Sequence, residues 1–167
     1  MKNNLDKIPV LWEICLHLEK LQKMKKAVSN PVEKVYKNYE NYLHEENLSI
    51  VSEPQEVYAR AFDDMVAVTN YDKHFAADLL DMSYKTVTRY KSENKKLGAL
   101  QSEFLLKTIL LFNKGSKVFG DEQAFNLWLD KPAYGLGNKI PRKFITTVGG
   151  INYVLEELNR IAHGDLS

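Results

Sequence analysis

Four histidines, His17, His44, His74 and His163, are the first residues to test for chemistry in this chain. None stands in an HxxxH or HExxH pattern, and none has a carboxylate at metal-ligand spacing. Each reads as a surface or helix-end residue, and His163, near a helix C-terminus, suits the helix dipole. Asp63 and Asp64 are adjacent carboxylates, but neighbours on a helix point to different faces. Cys15 lies in an apolar helical stripe and reads as a small buried hydrophobe rather than a nucleophile. Gly135-Leu136-Gly137 is too short for a phosphate loop and follows no strand. No Ser/His/Asp or Cys/His order assembles, so neither an enzyme nor a metal or cofactor site is expected.

Charge placement points to binding instead. From Glu40 to Asp81 ten acids face only Arg60 and Lys73, a net charge of −8. From Ser83 to Lys96 five cations face Glu93 alone, a net charge of +4. This basic patch sits on HFAADLLDMSYKTVTRYKSENKK, which reads as a helix (Phe75 to Leu80), a tight turn (Asp81 to Ser83) and a second helix from Tyr84. Ser83 suits the N-cap, and Leu79, Met82 and Val87 are spaced to pack the two helices together. That is the layout of a helix-turn-helix, whose second helix enters the major groove with its first residues at base edges. Tyr84, Lys85 and Thr88 would lie nearest the bases. Arg89, Lys91, Lys95 and Lys96 would neutralise phosphates, and such contacts position a protein without reading sequence. An ordinary helix pair with a solvated lysine face has the same pattern.

The elements that must carry this patch are helical almost throughout. Leu11, Ile14, Leu18 and Leu21 share one helical face, and Asn30-Pro31 interrupts it. Val32, Val35, Tyr36, Tyr39 and Leu43 form a second stripe. Ser52, Pro54 and Gln55 predict a helix start, with Val57, Tyr58, Ala61, Phe62, Met65 and Val66 on its apolar face. Asn70-Tyr71-Asp72 predicts a break, and Leu100 to Phe112 a long apolar helix. Gly115 and Gly120 read as punctuation, and Asp121 as the cap of a helix whose Phe125, Trp128 and Leu129 belong to the core. Residues 130–140 read as a loop and Pro141 as a helix start. Gly149-Gly150 would end that piece, before a last helix with Ile151, Val154, Leu155, Leu158 and Ile161, stopped by Gly164. No stretch alternates convincingly enough for a strand.

The 167 residues carry 23 Lys+Arg against 22 Asp+Glu, with 44% hydrophobic and 27% charged residues. This is the balance of a globular chain with a core, not of a disordered one. One cysteine cannot staple a secreted mini-domain. No apolar run reaches the roughly 18 residues of a membrane span, and the N-terminus lacks the apolar core of a signal peptide. A cytoplasmic protein is expected. A net charge of +1 means that any nucleic-acid contact must be local.

The stretch from Phe119 to Gly164 is the most informative. Its order is Phe119-Gly120, Phe125, Trp128-Leu129, Pro132, Leu136-Gly137, Pro141, Thr147, Gly150, Val154, Leu158, Ile161 and Gly164. This order resembles the toxin-binding domain of Xre/MbcA/ParS-type antitoxins. The segment before it is similar to the Xre-like helix-turn-helix of the same antitoxins, with Ser83, Thr86, Val87 and Arg89 meeting the pattern Ser-x-x-Thr-hydrophobic-x-Arg.

The resemblance implies an all-α chain: an N-terminal extension (1–52), a helix-turn-helix domain (53–115) and a small helical toxin-binding domain (116–167). It also implies a type II antitoxin. Such an antitoxin sequesters a RES-type toxin that consumes NAD or transfers its ADP-ribosyl part, and represses its own operon through operator DNA as a homodimer. Neutralisation would be steric, by covering the toxin's active site. The candidate docking surface is Leu136, Gly137, Asn138, Lys139, Pro141 and Arg142, together with Asn159, His163, Gly164, Asp165, Leu166 and Ser167. Two departures stand out. Asn138 replaces a frequent second glycine, and Arg142-Lys143 replace acidic or neutral residues, which would suit a differently charged toxin. The first 50 residues match no family. Two alternatives remain: a helix-turn-helix regulator without a toxin, and an adaptor with a degenerate helix-turn-helix whose acidic stretch covers the second helix.

Overall fold

The computed structural model describes residues 30–43 and 56–164. Seven α-helices are described, and no strand is found among the described residues. They are α1 (Pro31–Tyr39), α2 (Ala61–Thr69), α3 (Lys73–Leu79), α4 (Tyr84–Ser92), α5 (Ala99–Phe119), α6 (Glu122–Leu129) and α7 (Val148–Ala162). Short 3-10 turns occupy Glu40–Tyr42, Tyr134–Leu136 and Pro141–Lys143. The predicted stripe of Leu11 to Leu21, Cys15, the cap at Ser52 and the chain end Asp165 to Ser167 lie outside the described residues.

The 21-residue α5 is the axis of the fold, and α1, α2, α6 and α7 all pack on it. Its sequence is apolar on nearly every side, as a helix surrounded by others must be. Leu105, Ile109, Leu111 and Phe112 are completely buried. Each such side chain contributes about 1.5–3 kcal/mol by leaving water. At its polar positions α5 is tied to α7: Lys107 Nζ donates to Asn152 Oδ1 at 2.8 Å, and Lys114 Nζ donates to Asn159 Oδ1.

Three expectations need correction. The segment expected to be helical from Ser52 onward is not helical over residues 56–60, and its helix begins at Ala61. Ala59 N donates to the Lys95 carbonyl at 2.9 Å, and Leu97 N donates to the Val57 carbonyl at 2.8 Å. Pairing between these two short segments satisfies the backbone there, with an isolated bridge at Tyr58 and Lys96. Gly115 is no break either. It lies inside α5, where an added Cβ would come within 2.4 Å of the Phe125 ring. Its small size lets α6 approach α5, and the helix runs on until Gly120 ends it at φ +92°. Gly149 and Gly150 belong to the first turn of α7, capped by Thr147. A Cβ at Gly150 would strike the Phe144 carbonyl oxygen at 1.8 Å, so this glycine serves a close approach of two backbone segments.

Because α5 spans Ala99–Phe119, it crosses the expected border between residues 115 and 116. The described residues from Pro31 on belong to one compact unit.

Candidate functional site

The basic segment forms two short helices joined by a turn. Asp72 caps α3, accepting from His74 N at 2.8 Å and Phe75 N at 3.2 Å. These donors hold the Asp72 carboxyl below the usual aspartate range. Asp81 takes a left-handed φ of +54° in the turn, a conformation that Asp tolerates better than most residues. Ser83 then caps α4, its Oγ accepting from Thr86 N at 3.1 Å. Val87 is fully buried, while Leu79 and Met82 pack half-buried against the core.

The structure sorts the nine candidate residues on this pair. Ser83 and Thr86 are engaged with each other, their hydroxyl oxygens 2.8 Å apart. Tyr84 is half-buried, packed against the rings of Phe62 and His74, so its ring is committed to the fold. Thr88 Oγ1 donates back to the Tyr84 carbonyl, with its methyl side exposed. Lys91 is bound to Asp63 on α2, Nζ to Oδ2 at 2.6 Å. Lys95 pairs with Glu93 at 2.5 Å. Lys85, Arg89 and Lys96 are exposed and form no salt bridge among the described residues, although Arg89 helps to lower the Glu93 carboxyl. Among the described acids of the −8 stretch, Asp63 reaches the second helix, at Lys91.

Beyond α5, the chain builds a compact aromatic centre. Asp121 caps α6 through Ala124 N at 2.7 Å. Phe125 is fully buried, edge-on to Phe112 at 5.3 Å between centroids and stacked with Trp128 at 5.9 Å. Residues 133–139 then fold into a tight loop. Ala133 N donates to the Lys139 carbonyl at 3.0 Å, and Asn138 N donates to the Ala133 carbonyl at 3.0 Å. Gly137 and Asn138 both take left-handed φ, +65° and +58°. Asn is among the few residues that tolerate this, so Asn138 preserves the turn where a second glycine is frequent.

Two charged clamps fix the loop. Arg142 Nε donates to Asp130 Oδ1 at 2.5 Å, and its NH2 group donates to Asp130 Oδ2 and to Asn126. The Tyr71 side chain, between α2 and α3, also interacts electrostatically with the Arg142 guanidinium. The guanidinium holds the Asp130 carboxyl below its ordinary range. On the other side, Arg160 donates to Glu157 Oε2 at 2.6 Å and to the Gly135 carbonyl at 3.3 Å. Glu157 is only 7% exposed and lies against Gly135, where any Cβ would collide with its carboxylate.

Residues 114–164 match the antitoxin Xre/MbcA/ParS C-terminal toxin-binding domain. No curated protein matches the chain. The matched segment starts at the end of α5 and includes both clamps, the loop and α7. It supports an antitoxin role for the chain, with a toxin as partner.

Within this toxin-binding domain the candidate residues divide. Leu136 is 1% exposed and Pro141 is buried, so both shape the loop from inside and present no surface. Arg142 is half-buried and committed to Asp130, so the expected basic edge reduces to Lys143 and Lys139. Asn159 is held by Lys114, and His163 Nδ1 lies 2.7 Å from the Asn159 carbonyl oxygen. Gly137, Asn138, Lys139, His163 and Gly164 are exposed. Asp165, Leu166 and Ser167 lie outside the described residues. Sequence reasoning missed Tyr134, which is 75% exposed at the loop apex. Its signal was present: a large aromatic between Pro132 and two glycines, in a segment with no apolar periodicity.

Among the described residues no helix is long and apolar enough to cross a membrane. No group of three His, Cys, Asp or Glu among them is placed to hold a metal.

Proposed function

We propose that this protein is the antitoxin of a type II toxin–antitoxin system, that its partner is a RES-type toxin acting on NAD, and that it represses its own operon as a homodimer on operator DNA. The observation that carries the antitoxin reading is the match of residues 114–164 to the toxin-binding domain. The RES assignment rests on the resemblance of that segment to antitoxins of this kind. Inhibition is steric: a rigid helical module covers the toxin's active-site mouth and excludes NAD. Such an interface requires an apolar centre and a polar rim, and no catalytic group.

The DNA reading is supported by the exposed Lys85 and Arg89 on the capped helix α4. Thr88 lies on the same helix and Lys96 just beyond it. Phosphate contacts by such residues release counterions, so binding would weaken steeply with salt.

Co-expression with the product of the adjacent reading frame tests the toxin reading. The neighbour alone should deplete cellular NAD and arrest growth, and this protein should co-purify with it and restore both. A harmless neighbour that does not bind would remove the toxin and leave a DNA-binding regulator. Titration of the chain with its promoter at several salt concentrations tests the second part, and a flat salt response would remove it.

A further inference from the structure

Among the described residues of the matched segment 114–164, Tyr134 is the most exposed large apolar side chain, at 75% against 62% for Leu127. The loop that carries it is held by several backbone hydrogen bonds. Leu136 N and Asn138 N both donate to the Ala133 carbonyl, Gly137 N donates to the Tyr134 carbonyl, and Arg160 holds the Gly135 carbonyl. A Cβ on the residue after Tyr134 would have to displace the Glu157 carboxylate, which packs against Gly135. The backbone under Tyr134 is therefore fixed before any partner arrives. A partner does not have to order this loop, and a tyrosine has few rotatable bonds to freeze.

The surroundings have a definite character. Lys139 is bridged to Ala133, the residue before Tyr134, and its ammonium lies over the Phe144 ring, 6.0 Å from its centroid. Phe144 in turn meets Tyr153 of α7 edge-on at 5.5 Å, and Tyr153 is 39% exposed. Lys143 is exposed beside Phe144. Asp130 and Glu157, at the two ends of the loop's clamps, are paired with Arg142 and Arg160. Lys139 and Lys143 form no salt bridge among the described residues.

We infer that Tyr134 is the aromatic anchor of the toxin interface, flanked by Tyr153, Lys139 and Lys143, and that the toxin surface it fits is an acidic rim around an apolar slot. This rests on the antitoxin reading above. Tyrosine anchors in desolvated slots dominate interface energetics, while rim charges act mainly on association and specificity.

The test uses the full chain and the protein encoded by the adjacent reading frame, with affinity measured by calorimetry or surface resonance. Tyr134→Ala should weaken binding at least about 30-fold, the loss of one strong interface anchor. Its circular dichroism and melting temperature should stay unchanged, because the side chain is mostly in water. Lys139→Glu with Lys143→Glu should slow association and flatten its dependence on salt. Wild-type binding together with an unchanged affinity for both variants overturns this inference and leaves the antitoxin reading intact. No binding by the wild-type chain overturns both. If Tyr134→Ala changes the oligomeric state of the free chain instead, the face belongs to a second copy and the inference fails.

Discussion

Replacing Gly115 with alanine isolates the contact by which α6 packs on the end of α5. Two effects oppose each other. In a helix interior alanine is favoured over glycine by about 0.8–1.0 kcal/mol. Against that, the new Cβ would lie 2.4 Å from two atoms of the Phe125 ring and 2.5 Å from a third. Carbon atoms in contact prefer roughly 3.5–4.0 Å, so the ring or the helix must retreat by about 1 Å. Phe125 has no free direction, being fully buried with Phe112, Phe119 and Trp128 around it. Overpacking of this kind costs about 1–3 kcal/mol, and the confinement of the ring places it at the upper end. The net expectation is a loss of about 2 kcal/mol. For a chain of this size that lowers Tm by about 4–8 °C. Thermal and urea unfolding of Gly115→Ala, Phe125→Leu and the double variant would check it. The slimmer leucine should accommodate part of the new methyl, so the double variant should lose less than the two single losses added together. A rise in Tm for Gly115→Ala would refute the reasoning, because helix propensity would then outweigh packing.

Other substitutions probe separate parts of the fold. Asn113 is completely buried on α5, and neither its amide nitrogen nor its oxygen has a hydrogen-bond partner. Asn113→Leu, of similar size, should therefore raise stability by about 1–2 kcal/mol, seen as a higher urea midpoint; a lower midpoint would mean that the amide is satisfied in solution. Arg142→Ala should cost about 1 kcal/mol after allowing for solvent screening of its exposed partner Asp130, and should increase hydrogen exchange in residues 130–143. The folded-state pKa of Asp72 is lowered by the two amides it accepts from, so its contribution to stability is present above the ordinary aspartate value of 3.8 and is lost as the pH falls below it. Asp72→Ala should accordingly melt lower than the parent at neutral pH, and the difference should shrink in acid; a constant gap would exclude the carboxylate as its source. Arg89→Ala should weaken promoter binding almost equally across sequences and reduce the salt slope by about 1.

The helical character was written in the sequence because its cause is local. Apolar spacing placed Val32, Tyr36 and Tyr39 on one face and Ile151, Val154, Leu155 and Leu158 on another, and all of them are buried. Capping was equally legible: Ser83 and Asp121 announce their helices by side-chain chemistry alone. So was the order of glycines, prolines and aromatics in the last third, which carries the resemblance to the toxin-binding domain. Glycine was where local reasoning failed. Gly115 and Gly150 look like chain breaks, yet each is a place where another part of the molecule comes too close for a methyl group. No neighbour in the sequence announces Phe125 or Phe144 at that distance. The same holds for charge. Lys91 and Arg142 both read as free cations, and tertiary structure gave each an acid, 28 residues away for Lys91 and 12 for Arg142. Tyr134 is the converse case: Pro132 and two glycines mark it as a loop aromatic, and the fold leaves it 75% exposed. Sequence determined which segments are helices, because helix formation depends on residues three or four apart. Tertiary structure decided which side chains remain for a partner, because that depends on what the fold has already used.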